Sequence, residues 1–136
     1  VCVDKPEKSA AHLDGMVSHV GSLLESLVVH YRVLRLCGGD LGFAASITYD
    51  FEVWSAAQER WLEVSSVSNF KTFQSSRLKL RYREDVQSKP TLCHTLNGSS
   101  LALPRVLAAL LENNQDATGI DIPDVLHQYT GFTRIQ

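Results

Sequence analysis

The residues best placed to do chemistry lie in the run His94-Thr95-Leu96-Asn97-Gly98-Ser99-Ser100-Leu101-Ala102-Leu103-Pro104-Arg105. A polar, glycine-containing segment ends at Ser99. A helix is expected from Leu101 to Asn113, with Arg105 in its first turns. Between Ser100 and Asn113 the only charged residues are Arg105 and Glu112. A guanidinium near the start of such a greasy helix must reach water or an anion, because an isolated buried charge is very costly. Snorkelling to solvent would satisfy it. A phosphate would too, since its oxygens match arginine's planar fork. The residues alone mark Arg105 as a candidate anion site and nothing narrower.

The hydrophobic pattern supplies the elements that must position this run. Asp4 and Glu7 have capping-box spacing, with Pro6 in the first turn, although Ser9 could instead be the cap. Apolar residues then recur from Leu13 through Met16, Val17, Val20 and Leu24 to Val28, the period of an amphipathic helix. His12 and His19 sit two turns apart on it, as surface residues with no carboxylate or cysteine to complete a metal set. Tyr31 to Cys37 reads as a strand ended by Gly38-Gly39, which lack dinucleotide-binding spacing. Ile47 to Trp54 alternates, with Tyr49, Phe51 and Val53 on one face and Thr48, Asp50, Glu52 and Trp54 on the other. A short connection leads to a second strand, Arg60 to Val67, so a hairpin is expected.

Residues 69–80 read as a loop and short helix, and residues 85–90 as a polar connector. Leu92 to Leu96 reads as a short strand. The helix from Leu101 is apolar almost all round and so expected to be buried, and Ile120 to Gln136 has little regular pattern. These elements predict an α+β fold, an antiparallel sheet flanked by helices.

Composition narrows the class further. A chain of 136 residues, 44% apolar and 21% charged, fits one domain with a real core. A net charge of −2 leaves no overall basic footprint for nucleic acid. The local run Lys71, Arg77, Lys79, Arg81, Arg83 fits a solvated face. Cys2, Cys37 and Cys93 form an odd set without metal spacing, which points to reduced thiols and a cytoplasmic setting. No apolar run approaches the roughly 18 residues of a membrane span.

Several blocks resemble class II aminoacyl-tRNA synthetases, in their seryl form. Thr95-Leu96-Asn97-Gly98-Ser99 with Leu101-Ala102 and Arg105 resembles motif 3. Glu63-Val64-Ser65-Ser66-Val67-Ser68-Asn69, Phe73-Gln74-Ser75-Ser76-Arg77 and Arg81-Tyr82-Arg83 are similar to a second signature. Gly39-Asp40-Leu41-Gly42, Tyr49-Asp50-Phe51-Glu52-Val53-Trp54 and Ile122-Pro123-Asp124-Val125-Leu126 fall in the family's order. The likeness spans nearly the whole chain. Leu103-Pro104 stands where Val-Gly is usual, which a first helical turn tolerates.

The resemblance implies a partial class II catalytic-domain fold and a serine–tRNA ligase that forms seryl-adenylate from serine and ATP. It gives catalytic roles to Arg105 and Glu63. ATP binding falls to Glu63, Val64, Ser65, Ser66 and Arg105, serine binding to Ser99 and Asn97, and Mg²⁺ to Glu63 and Ser66. Strict alternation puts Glu63 and Ser66 on opposite faces, so a bulge or a strand end near Ser65 is required. Gly98 is expected to let the backbone approach the ligand. Asn69 and Arg77 would brace the pocket or the tRNA end, or serve local packing. His94 reads as a satisfied core histidine.

Implied partners are serine, ATP, tRNA(Ser) and a second copy in a homodimer, with no membrane. Residues 1–136 would be the C-terminal part of the catalytic domain, with motif 1, motif 2 and the tRNA-gripping coiled coil outside them, and inactive alone. A ligase that loads an amino acid onto a carrier protein, and a non-catalytic synthetase paralogue, are the competing classes.

Overall fold

The alternation at Ile47 forms β3 (Ile47–Ser55), an inner strand of a five-stranded antiparallel sheet in a computed structural model that describes residues 1–136. The strand order is β1 (Cys2–Asp4), β7 (His94–Ser99), β4 (Arg60–Lys71), β3 and β2 (Tyr31–Arg35). Phe51 and Val53 turn to one face and are fully buried there. They join one cluster with Leu13, Val20 and Leu24 of α1 (Ser9–Ser26) and Val106 and Ala109 of α3 (Leu103–Asn113). Each such burial contributes about 1.5–3 kcal/mol. A one-residue slip would turn the whole set outward, so packing fixes which face is which. Both long helices lie on this back face. Thr48, Asp50, Glu52 and Trp54 occupy the front.

Two bulges shape β4. Phe51 pairs with Ser65 but Glu52 pairs with Glu63, leaving Val64 as an extra residue. Val64 and Ser65 both turn into the core, at 1% and 2% exposure. A second shift, at Phe70, lies in the pairing with β7. Asn69 holds this bend by accepting the Lys71 N–H at 2.9 Å and donating to the Ser9 carbonyl. Asn69 therefore ties sheet to helix and does not reach the front face.

Several expectations need correction. β4 continues to Lys71 and β7 through Ser99, so the polar Asn97-Gly98-Ser99 segment is strand. The Asp4–Glu7 capping box does not form: a 3-10 turn at Pro6–Lys8 intervenes, with no side-chain cap. Asp4 instead binds His12 Nε2 at 2.6 Å, giving that histidine a carboxylate partner. Helix α3 is not buried all round, contrary to expectation. Leu103 and Leu107 are 72% and 57% exposed, because the sheet covers only the Val106–Ala109 side. The C-terminal tail is ordered by a small sheet of β8 (Gln115–Asp116), β9 (Gly119–Asp121) and β10 (Arg134–Ile135). Arg134 pairs with Asp116 and Asp121 and holds the Asp116 carboxyl far below the usual range.

Gly98 has a reason within the fold, beside the ligand approach expected of it. A Cβ there would sit 2.6 Å from the Ser66 carbonyl and 3.0 Å from Val67 Cα, inside the neighbouring strand. Backbone cannot yield as a side-chain end can. Gly98→Ala is expected to destabilise the protein by about 2 kcal/mol, read as a lower urea midpoint. An unchanged midpoint would contradict this packing.

Candidate functional site on the front of the sheet

The bulge at Val64 restores Glu63 to the front face, where it lies opposite Glu52, while Ser66 lies opposite Asp50. Glu63 and Ser66 therefore share one face, which unbroken alternation would forbid. Across the other edge of β4, Ser66 pairs with Ser99 and Ser68 with Asn97. The front of three adjacent strands thus carries Thr48, Ser66, Ser68, Asn97 and Ser99, a floor of hydroxyls and one amide. Thr48 Oγ1 and Ser68 Oγ are hydrogen-bonded at 2.7 Å. The loop after β2 overhangs this floor, and Phe43 stacks edge-on to Phe73 of α2 (Phe73–Leu78). Between loop and floor lies a cleft of about 320 Å³.

Arg105 reaches this region from the back. Pairing of β7 with β4 stops at Ser66–Ser99, so Glu63 to Ser65 lack a strand on that side. The Ala102 N–H takes up the Val64 carbonyl at 2.6 Å, and Ser65 Oγ donates to the Ser99 carbonyl at 2.6 Å. Through the same gap Arg105 Nη1 donates to the Glu63 carbonyl at 2.5 Å. The guanidinium is exposed yet anchored beside Glu63, and its remaining donors are free for an anion. Val64 and Ser65 are buried in the back, so any contact they make with a front-face ligand goes through backbone.

Charge on the front is unevenly balanced. Glu52 is tied to Arg32 at 2.6 Å, and Arg32 lies 4.5 Å from the Trp61 ring centre. Glu63, directly opposite, has no salt bridge. Asp50 Oδ1 is buried without any hydrogen-bond partner. No cluster of three or more His, Cys, Asp or Glu side chains could hold a metal alone. An ion here would need ligand oxygens from its substrate.

The remaining candidates fall outside the site. Arg77 stacks on Phe73 at 3.5 Å and donates to that residue's carbonyl, so it braces α2. His94 Nδ1 bonds Ser9 Oγ at 2.7 Å. Because Ser9 Oγ donates to the Pro6 carbonyl, the histidine must be the donor. Burial, with Lys71 nearby, pushes the His94 pKa below 6.5. The neutral form is thus favoured in the fold, a contribution present above about pH 6.5 and lost as pH falls toward the folded value. The urea midpoint should drop between about pH 7 and pH 5, with a smaller drop in His94→Gln. Equal slopes would refute this.

A larger cavity, about 400 Å³, lies elsewhere, between α1 and the β1–β7 edge. His12 and His19 line it, but no polar floor converges there, so the smaller front cleft is the better candidate. Thr48, Asp50, Ser68 and Gln74 are site neighbours to which the sequence assigned no role, although Asp50, Ser68 and Gln74 lie within the motif blocks. The alternation of β3 had already placed Thr48 and Asp50 on its polar face.

Comparison with known proteins bears on this geometry. Residues 1–114 match the family model described as tRNA synthetase class II core domain (G, H, P, S and T). A serine–tRNA ligase of Salinibacter ruber is 56% identical over 96% of this chain and 31% of its own length. One from Herminiimonas arsenicoxydans is 53% identical over 99% of this chain and 32% of its own. The chain thus spans about a third of the length of these curated relatives. The crystal structure of seryl-tRNA synthetase from Pyrococcus horikoshii complexed with ATP superposes with a TM-score of 0.94 at 38% identity, over 98% of this chain and 30% of that one. The cytoplasmic enzyme from Naegleria fowleri in complex with AMP gives 0.90 at 31%, over 98% of this chain and 33% of that one. The expected antiparallel sheet with flanking helices is the fold of these catalytic domains. With the family model matching most of its length, the chain belongs to the class II tRNA synthetase core domain family.

Proposed function

We propose that this chain supplies the motif 3 side of a serine–tRNA ligase active site, working with ATP, Mg²⁺, serine and tRNA(Ser) in a cytoplasmic homodimer. The observation that carries the proposal is the convergence of Glu63, Ser66, Asn97 and Ser99 on one face, with Arg105 anchored at Glu63. Relatives named serine–tRNA ligase favour tRNA over a carrier protein as acceptor. No helix is long and apolar enough to cross a membrane.

In the first step a carboxylate oxygen of serine bonds to the α-phosphorus of ATP as the bond to pyrophosphate breaks. In the second, a terminal ribose hydroxyl of tRNA attacks the activated carbonyl and AMP leaves. Arg105 would hold the departing pyrophosphate end, where its fixed positive charge meets growing negative charge. The Glu63 carboxylate and Ser66 hydroxyl would hold Mg²⁺, with phosphate oxygens completing the shell. The donor set fits, being hard oxygens only. Were Ser66 Oγ to hold the ion, its hydroxyl proton would need an acceptor, and the unpartnered Asp50 oxygen lies across the strand pair. When bound, the ion neutralises phosphate charge. Ser99 and Asn97 would bind serine, with Ser99 hydrogen-bonding its hydroxyl.

The test is ATP–pyrophosphate exchange by the full-length protein with serine, glycine, alanine and threonine in turn. Exchange driven by serine alone is expected. Exchange driven by another of these amino acids, or by none, would overturn the proposal. Ser99→Ala should raise the KM for serine by about tenfold or more, since an unpaired buried polar group costs about 1–3 kcal/mol. The KM for ATP should stay put, and a parallel rise in both would argue against a serine-binding role.

A further inference from the structure

We propose that Gln74 is a positioning residue for the amino-acid end of the site, orienting Asn97 so that its side-chain carbonyl faces the substrate. The inference rests on the ligase reading above and deepens it. Gln74 Oε1 accepts two hydrogen bonds, from Thr95 Oγ1 at 2.7 Å and from Asn97 Nδ2 at 3.1 Å. Thr95, Asn97 and Ser99 alternate along the front of β7, so these bonds grip the strand beside Ser99. Asn97 Oδ1 has no partner within the chain and is not among the buried unsatisfied atoms.

The grip is built into the fold. α2 has only six residues, too few to hold a position by helix propensity. It is pinned instead by Ser75, fully buried, whose Oγ donates to the Cys93 carbonyl at 2.6 Å just before β7 begins. Gln74 is the residue next to that pin. The bulge at Phe70 shifts β4 so that Lys71 pairs with Thr95 and the chain turns over β7 into α2.

The chemical consequence follows from the two ends of a primary amide. With one N–H of its NH₂ held by Gln74, the Asn97 amide is fixed in orientation and its carbonyl end is turned away from Gln74, free to accept from a ligand on the front of the sheet. An acceptor there suits a ligand group that carries hydrogen, such as the ammonium or hydroxyl of a small amino acid, and disfavours a carboxylate. Without Gln74 the amide is free to turn and present a donor instead. Gln74 thus acts on substrate choice through Asn97 and touches no reacting atom.

Two variants of the full-length protein test this. Gln74→Met removes both acceptor contacts at similar length, while Gln74→Glu keeps an oxygen that accepts from both donors. Gln74→Met should raise the KM for serine by about tenfold, the scale of one to two lost neutral hydrogen bonds, and leave the KM for ATP unchanged. Gln74→Glu should restore serine KM to near the wild-type value. The side-chain amide resonances of Asn97, read by NMR, should be restrained in wild type and Gln74→Glu and averaged in Gln74→Met.

An unchanged serine KM in Gln74→Met, a matching rise in ATP KM, a Gln74→Glu variant as impaired as Gln74→Met, or indifferent Asn97 resonances would each overturn the assignment. Wild-type protein that fails serine-dependent exchange counts against the ligase reading. The Asn97 resonances judge Gln74 in either case.

Discussion

Replacing Arg105 by alanine is expected to lower kcat/KM for serine-dependent ATP–pyrophosphate exchange by about a thousandfold, or ~4 kcal/mol of transition-state stabilisation. The size follows from what the side chain does in the fold, which is little. It is exposed and makes one hydrogen bond, to the Glu63 carbonyl. Such a bond is worth about 1 kcal/mol, so the variant should fold with a Tm within a few degrees of wild type. Loss of activity without loss of stability separates a phosphate clamp from a packing role. Arg105→Lys keeps the charge but not the fork, and should recover about tenfold of the loss. An alanine variant within tenfold of wild type would mean that the guanidinium merely snorkels.

Glu63→Gln should act in opposite directions on activity and stability. Glu63 and Glu52 face each other across β4 and β3, and only Glu52 has a cationic partner, Arg32. Removing one of two facing like charges should leave the protein as stable or slightly more so. Exchange activity should fall by about a hundredfold, because a neutral amide binds Mg²⁺ far more weakly than a carboxylate. The half-saturating Mg²⁺ concentration should rise by about tenfold, since the lost ligand is one of few the chain supplies. An activity loss with an unchanged Mg²⁺ curve would detach Glu63 from the metal. A stability loss of several kcal/mol would recast it as structural.

The main strands, both long helices and the polar face of β3 were legible in the sequence, because burial on one side writes a period of two or 3.6 into the residues. The need for a break in alternation near Ser65, by a bulge or a strand end, was legible too, once Glu63 and Ser66 had to share a face. Its actual place, at Val64, is written in the buried pair Val64 and Ser65. The course of β7 was harder. Asn97, Gly98 and Ser99 have loop-like composition, yet they complete the sheet because Gly98 alone fits against Ser66.

The exposed side of α3 was hidden for a different reason. Leu103 and Leu107 look like core residues, and the sequence does not say which apolar residues find a partner within these 136 positions. The capping box failed because the two Asp4 carboxylate oxygens are taken by the Lys5 N–H and by His12. Gln74 stood in a recognised signature, but its action depends on a side chain twenty-three positions away, which spacing cannot reveal.

The most direct test is a crystal structure of the full-length protein with an unreactive ATP analogue and Mg²⁺. The triphosphate should lie on the front of the sheet, its far end within hydrogen-bonding reach of Arg105 Nη atoms, and the ion should touch the Glu63 carboxylate and Ser66 Oγ. A nucleotide bound elsewhere, with Arg105 still turned to water, would contradict the account.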